Sequence, residues 1–161
     1  MESAVPSEVR TLGISNIDDR KALRDFYDSA TIKPAIVQNR PSSTSAYDRE
    51  LRSFCSDKGI VYQARNAISQ KSPLMKSALV ARLAERANVH HRVALYGLVI
   101  GLGNVSVLDA TRSEGRMRED VEGTGWVRDW ARTNAAEWKA IMEDFGALLR
   151  TEPPGTFDVE A

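Results

Sequence analysis

The sequence is poor in the residues that build stapled scaffolds and metal centres. One cysteine, Cys55, stands in 161 residues, so no internal disulfide can form. A secreted disulfide scaffold is excluded, and a reducing, cytoplasmic setting is expected. The two histidines, His90 and His91, are neighbours. Successive helical positions point about 100° apart, so the pair makes a poor two-ligand site. Solvent or cap contacts are expected for it, and no metal. An excess of charge is missing too: 22 Lys and Arg balance 22 Asp and Glu. Proteins that grip nucleic acid through its phosphates carry a basic excess, so that class of partner is excluded. Long hydrophobic runs are also lacking. The most apolar stretch, Val93 to Leu102, is about half of what a bilayer crossing needs, so no membrane partner is expected. Residues 1–10 show no apolar core of a signal peptide.

What is present is ordinary for a folded domain, with 42% hydrophobic and 27% charged residues, an apolar content that opposes disorder. Four short apolar runs read as strands: Thr11–Ser15, Pro34–Gln38, Ile60–Gln63 and Val105–Leu108. Helical stripes lie between them. Leu23, Phe26, Tyr27 and Ala30 recur at helical spacing within Asp18–Ala30, and Asp18 and Asp19 favour the positive end of that helix. Tyr47, Leu51, Phe54 and Cys55 form a second stripe, stopped by Gly59. Ser72-Pro73 predicts a helix start, with Met75, Leu79 and Leu83 as its packing stripe to about Ala87. Val93–Leu102 is apolar on nearly every side and reads as a buried helix. A helix follows Arg116, with a break predicted at Gly123–Gly125. Asn134 with Glu137 resembles a capping box before a last helix carrying Trp138, Ile141, Met142, Phe145 and Leu149. The alternation of strand and helix argues an α/β fold with a parallel sheet, because each crossover needs a helix. The strands lack polar alternation, which predicts that both sheet faces are covered.

Few motifs carry chemistry by themselves. Gly101-Leu102-Gly103 closes a helix and opens a strand, the reverse of a dinucleotide-binding loop, so it reads as a helix end and turn. Cys55 sits on an apolar stripe and reads as a small core hydrophobe. None of Tyr27, Tyr47, Tyr62 and Tyr96 has a lysine four residues later, so none has the partner of a reductase acid. Arg112 to Asp120 (RSEGRMRED) follows the fourth strand and opens a helix, where backbone N–H groups favour phosphate. A solvated charged face is the other reading of that run.

Several segments together resemble the aldo-keto reductase family, in the family's order, over about residues 5 to 149. They are Leu12-Gly13-Ile14-Ser15-Asn16, Lys33-Pro34-Ala35-Ile36-Val37-Gln38-Asn39-Arg40, Glu50-Leu51-Arg52-Ser53-Phe54-Cys55, and Lys58-Gly59-Ile60-Val61-Tyr62-Gln63. Ala94-Leu95-Tyr96, Gly101-Leu102-Gly103-Asn104-Val105 and Arg116-Met117-Arg118-Glu119-Asp120 continue the match. The resemblance implies a partial TIM barrel, the last four βα units plus C-terminal helices over residues 1–150, with 151–161 as a flexible tail. It implies an NADP-dependent oxidoreductase that interconverts carbonyls and alcohols, with NADP(H) as cofactor, no metal, and a small-molecule carbonyl substrate. By that resemblance Ser15, Asn16 and Gln38 would bond the nicotinamide carboxamide, or only cap strand ends. Arg116 matches the residue that grips the 2′-phosphate or adenine, and Glu119 and Asp120 match a polar pair facing the adenine.

The departures bear on activity. Arg65 stands where the family stacks an aromatic on the nicotinamide, and a cation there opposes the oxidised ring. After the fourth run comes Asp109-Ala110-Thr111-Arg112, in which Asp109 would repel phosphate and Arg112 would compensate, beside Thr111. A full barrel takes eight βα units and more than about 200 residues, and four are found. No residue of the family's Asp, Tyr, Lys and His tetrad maps onto this sequence, so proton delivery has no assigned donor. Four units would leave the Thr11–Ser15 and Val105–Leu108 edges unpaired and an apolar inner face uncovered. Self-association through those edges, marginal folding, or an incomplete record of a longer reductase are the expected outcomes. The alternative to a reductase half is a catalytically inactive remnant that binds nucleotide weakly or serves as an oligomerisation module.

Overall fold

The computed structural model describes residues 1–41, 45–65 and 73–151. Four strands form one sheet in the order β1 (Gly13–Ser15), β2 (Ile36–Asn39), β3 (Val61–Arg65), β4 (Val105–Leu108). All three pairings are parallel. Six helices accompany them: α1 (Arg20–Ser29), α2 (Arg49–Asp57), α3 (Ala78–Ala87), α4 (His91–Gly101), α5 (Glu114–Thr133) and α6 (Ala135–Thr151). The four expected strands are all present, within one or two residues of the apolar runs. Chain order equals spatial order, so each strand is laid beside the previous one by a helical crossover.

The sheet is covered on one face only, against the expectation of two. Val37, Asn39, Tyr62 and Ala64 are buried, while Ile36, Gln38, Val61, Gln63 and Arg65 alternate with them and are half-buried. Val37, Tyr62 and Ala64 of the buried set belong to the core that Leu51, Phe54, Leu83, Leu95 and Leu98 fill from the helices. The other set faces what would be the interior of a barrel. That face is mixed, not simply apolar: beside Ile36 and Val61 the register aligns Ser15, Gln38, Gln63 and Ser106 in one polar row across all four strands. Short strands hide this row from a reading of periodicity, since each contributes one polar residue to it.

The helices begin and end where local chemistry dictates. Asp19 caps α1 by accepting from the Ala22 N–H at 2.8 Å. Of the expected stripe only Leu23 is fully buried, and Phe26 is 43% exposed on the helix beside β1, the edge strand among the described residues. The helix predicted from Ser72-Pro73 starts later. Ser72 lies outside the described residues, and Pro73–Lys76 form a 3₁₀ turn that buries Leu74. Ser77 then caps α3 by accepting from the Val80 N–H; Val80, Leu83 and Ala84 are buried, and Met75 and Leu79 of the expected stripe are half-buried against the same core. His90 Nδ1 caps α4 by accepting from the Arg92 N–H at 3.1 Å, the cap contact expected of it. Residues Val93 to Val99 are all buried. After α4, Gly103 takes φ +81, a left-handed turn that glycine enters without strain, and leads into β4.

Two predicted features near the C-terminus are absent. α5 runs through Gly123–Gly125 without a break. Gly123 is there for space: a β-carbon on it would stand 2.7 Å from Val93 Cγ1 of α4. The Asn134–Glu137 capping box does not form either. Asn134 turns back to donate from Nδ2 to the Trp130 carbonyl of α5, and Glu137 is taken by Arg82 and Arg86 of α3. Glu137 therefore joins α6 to α3, and Asn134 closes the last turn of α5. Ile141, Phe145 and Leu149 bury the inner face of α6, as the stripe predicted. The tail after 151 lies outside the described residues.

Candidate functional site

In parallel βα folds the loops at the carboxyl ends of the strands carry the chemistry. At that end of β1, β2 and β3 the structure gathers Ser15, Asn16, Gln38 and Arg65. Gln38 Nε2 donates to Gln63 Oε1 at 2.6 Å across the strand pair. Next in the row, Ser106 Oγ is buried without a hydrogen-bond partner among the described residues. The backbone leaves β1 at Asn16, with φ +58, while its N–H donates to the Gln38 carbonyl at 3.0 Å. Arg65 Nη2 donates to Asn16 Oδ1 at 3.3 Å, and Arg65 Nε is buried without a partner among the described residues. Hydroxyls and carboxamides in one row offer donors and acceptors together, the complement of a primary amide. The guanidinium of Arg65 occupies one of those acceptors.

A buried polar network underlies this end of the sheet. Asn39 Oδ1 accepts from the Ile17 N–H at 2.9 Å, and Asn39 Nδ2 donates to the Ile17 carbonyl at 2.7 Å. The same Nδ2 donates to Asp48 Oδ2 at 3.1 Å, which also accepts from the Tyr62 hydroxyl at 2.6 Å. Ser45 Oγ donates to the other carboxylate oxygen. Burial, with the hydrogen bond to Asp48, pushes the Tyr62 hydroxyl well above its ordinary range, so it stays a donor.

The second group of sequence candidates follows β4. Ser113 caps α5 by accepting from the Arg116 N–H, and the Ser113 N–H donates to Thr111 Oγ1 at 3.2 Å. Arg112 and Arg116 are exposed and make no ion pair among the described residues. Glu119 and Asp120, expected to face a ligand, are both held by Arg92 of α4. Arg92 donates from Nη2 to Glu119 Oε2 at 2.8 Å and from Nε to Asp120 Oδ1 at 2.7 Å. Asp120 is buried, and its Oδ2 has no partner among the described residues. Burial raises the Asp120 pKa, Arg92 opposes the rise, and the Asp109 carboxyl adds to it. Asp109, Thr111, Asp120 and Tyr96 line one cavity of about 360 Å³ beside the β4 edge. Burial, then Asp109, also pushes the Tyr96 hydroxyl up.

Sequence reasoning missed Gln63, Ser106 and Arg92. Gln63 had a signal: Pro34–Gln38 and Ile60–Gln63 both end on glutamine, and equal positions on neighbouring strands meet. Arg92 had none, since its partners lie 27 and 28 residues away. Cys55 is fully buried and its thiol is pushed up to about 11 by burial, so it is a core residue. Among the described residues, no group of three His, Cys, Asp or Glu side chains could hold a metal ion, and no helix is long and apolar enough to cross a membrane.

Fold and site together define part of a parallel βα barrel, with polar groups collected at the carboxyl ends of its strands. Comparison with known proteins then gives the family likeness. No family model matches the chain. The chain is 30% identical over 135 residues to aldo-keto reductase family 4 member C11 of Arabidopsis thaliana, covering 78% of this chain and 41% of that one. The aldose reductase of Giardia lamblia superposes with a TM-score of 0.62 at 20% identity, covering 78% of this chain and 43% of that one. The aldo-keto reductase of the silkworm, Bombyx mori, gives 0.64 at 12% identity, covering 80% and 44%. The chain thus resembles the aldo-keto reductases in sequence and has their barrel fold over about half of their length.

Proposed function

We propose that this chain is the dinucleotide-holding part of an aldo-keto-reductase-type oxidoreductase, that its cofactor is NADP(H), and that the whole barrel interconverts carbonyls and alcohols. The observation that carries this reading is the meeting of Ser15, Asn16, Gln38 and Gln63 at one end of adjacent parallel strands. NADP(H), when bound, supplies the hydride. The chain's own groups bind and orient. Ser15, Asn16 and Gln38 present donors and acceptors to a carboxamide, and the orphaned Ser106 hydroxyl lies in the same row. Arg116 and Arg112 offer charge to a phosphate beside the start of α5, with Thr111 between them and β4. Glu119 and Asp120 border that region, and Arg65 sets the charge beside Asn16. Fluorescence titration with NADPH tests the reading: saturable binding that Gln38→Ala weakens supports it, and no binding at millimolar NADPH removes it.

A second reading is a module without turnover that binds nucleotide weakly. It is favoured by the engagement of Asn16 with Arg65 and of Glu119 and Asp120 with Arg92. A reductase assay with a generic aldehyde, run beside the titration, separates the two. Self-association through the open β1 and β4 edges belongs to either reading, and light scattering at two concentrations measures it.

A further inference from the structure

We propose that Asn39 is a positioning residue for the loop that presents Ser15 and Asn16, and that Asp48 and Tyr62 fix its carboxamide in the one orientation that does this. The inference rests on the dinucleotide reading above. β1 has only three residues and ends at Ser15. From Asn16 the main chain turns away with φ +58, and the sheet ladder stops. Asn39, at the end of β2, continues the ladder with its side chain. It bonds both the N–H and the carbonyl of Ile17, at 2.9 and 2.7 Å. One carboxamide thereby pins the residue next to Asn16 at two points, before α1 begins at its Asp19 cap.

A carboxamide turned by half a rotation would set oxygen against carbonyl and NH₂ against N–H. Ile17 by itself disfavours that rotation, since the two orientations have the same shape but opposite donors and acceptors. Asp48 reinforces the choice. Its Oδ2 is an acceptor only, and it takes the second Nδ2 hydrogen of Asn39. The Tyr62 hydroxyl and Ser45 supply the other donors that hold the carboxylate in place. Asn39, Asp48 and Tyr62 are 6%, 7% and 1% exposed, so water does not compete for these bonds. The network lies on the covered face of the sheet, opposite the row of Ser15, Gln38 and Gln63. Among the described residues its side-chain hydrogen bonds reach Ile17, and none goes to the side chains of Ser15, Gln38 or Gln63.

The test combines amide hydrogen exchange with NADPH titration on the full chain. In Asn39→Leu, exchange at Ile17 should accelerate about tenfold or more, and the NADPH dissociation constant should rise about tenfold, the scale of a lost buried hydrogen bond. Amides of α4 should keep their protection. Tyr62→Phe, which removes one hydroxyl and keeps the core filled, should give the same changes at about threefold and guards against a variant that does not fold. The double change Asn39→Asp with Asp48→Asn should restore Ile17 protection relative to Asn39→Asp alone, since it returns one carboxylate and one amide to the pair. Unchanged Ile17 exchange in folded Asn39→Leu and Tyr62→Phe overturns the clamp. Faster exchange with unchanged NADPH affinity overturns its positioning role. Failure of the unaltered chain to bind NADPH overturns the dinucleotide reading, and with it the positioning role, while Ile17 exchange still decides the clamp.

Discussion

Arg92 reaches from α4 to α5 and donates from Nε to Asp120 Oδ1 at 2.7 Å, while its Nη2 bonds Glu119. This one guanidinium joins two helices and engages both acidic residues that the sequence assigned to a ligand. Its charged state is favoured: burial lowers the Arg92 pKa, and the two carboxylates more than offset that. Removing it in Arg92→Met leaves the Asp120 carboxylate buried without its cation. The expected loss is about 3 kcal/mol of stability, read from urea unfolding, since breaking one partner of a buried pair costs more than the pair contributes.

Asp120 itself should show an unusual pH dependence. Burial first, and Asp109 beside it, raise its pKa, with Arg92 opposing. The folded chain therefore holds this proton to a higher pH than the unfolded chain does. The contribution to stability is complete below about pH 4, where both states are protonated, and is lost as pH rises through the folded value. Carbon-13 NMR of the Asp120 carboxyl should titrate above the ordinary aspartate range. Asp120→Asn should remove the corresponding fall in stability with pH.

Gly123 should not tolerate a side chain. In Gly123→Ala the new methyl would stand 2.7 Å from Val93 Cγ1, between the packed faces of α4 and α5. A loss of about 1–3 kcal/mol is expected despite the higher helix propensity of alanine. Val93→Ala in the same chain should recover part of it, measured as thermal midpoints of the single and double variants.

Cys55 should be inert while the chain is folded. It is fully buried and its thiol is pushed up to about 11. At pH 8 a maleimide should react at least about 100-fold faster in urea than in buffer. Equal rates would mean that the α2 face opens readily.

Arg116→Ala should weaken NADPH more than NADH, because only NADPH carries the 2′-phosphate that a guanidinium grips in two places. Equal loss for both in paired titrations would remove that arginine from the phosphate site.

Local chemistry made much of this fold legible. The four short apolar runs became β1 to β4, and Asp19 and Gly59 marked helix ends that the structure keeps. The helix stripes gave the core residues Leu51, Phe54, Ile141, Phe145 and Leu149. Two of the misreadings share a cause. Gly123 and Glu137 carry local signals, yet each answers to another helix, Gly123 to Val93 and Glu137 to Arg86, while Asn134 bonds back four residues to Trp130 and ends α5 instead of starting α6.

The sequence alone determined the alternation of strand and helix, the parallel sheet that follows from it, and where the strands lie to within one or two residues. Those are set by periodicity and turn chemistry, which act over a few residues. Only the tertiary structure decided that Gln63 joins Gln38, that Arg92 engages Glu119 and Asp120, and that Asn39 grips Ile17. Side-chain hydrogen bonds between residues more than 20 positions apart depend on register and helix packing, and neither leaves a local pattern in the chain.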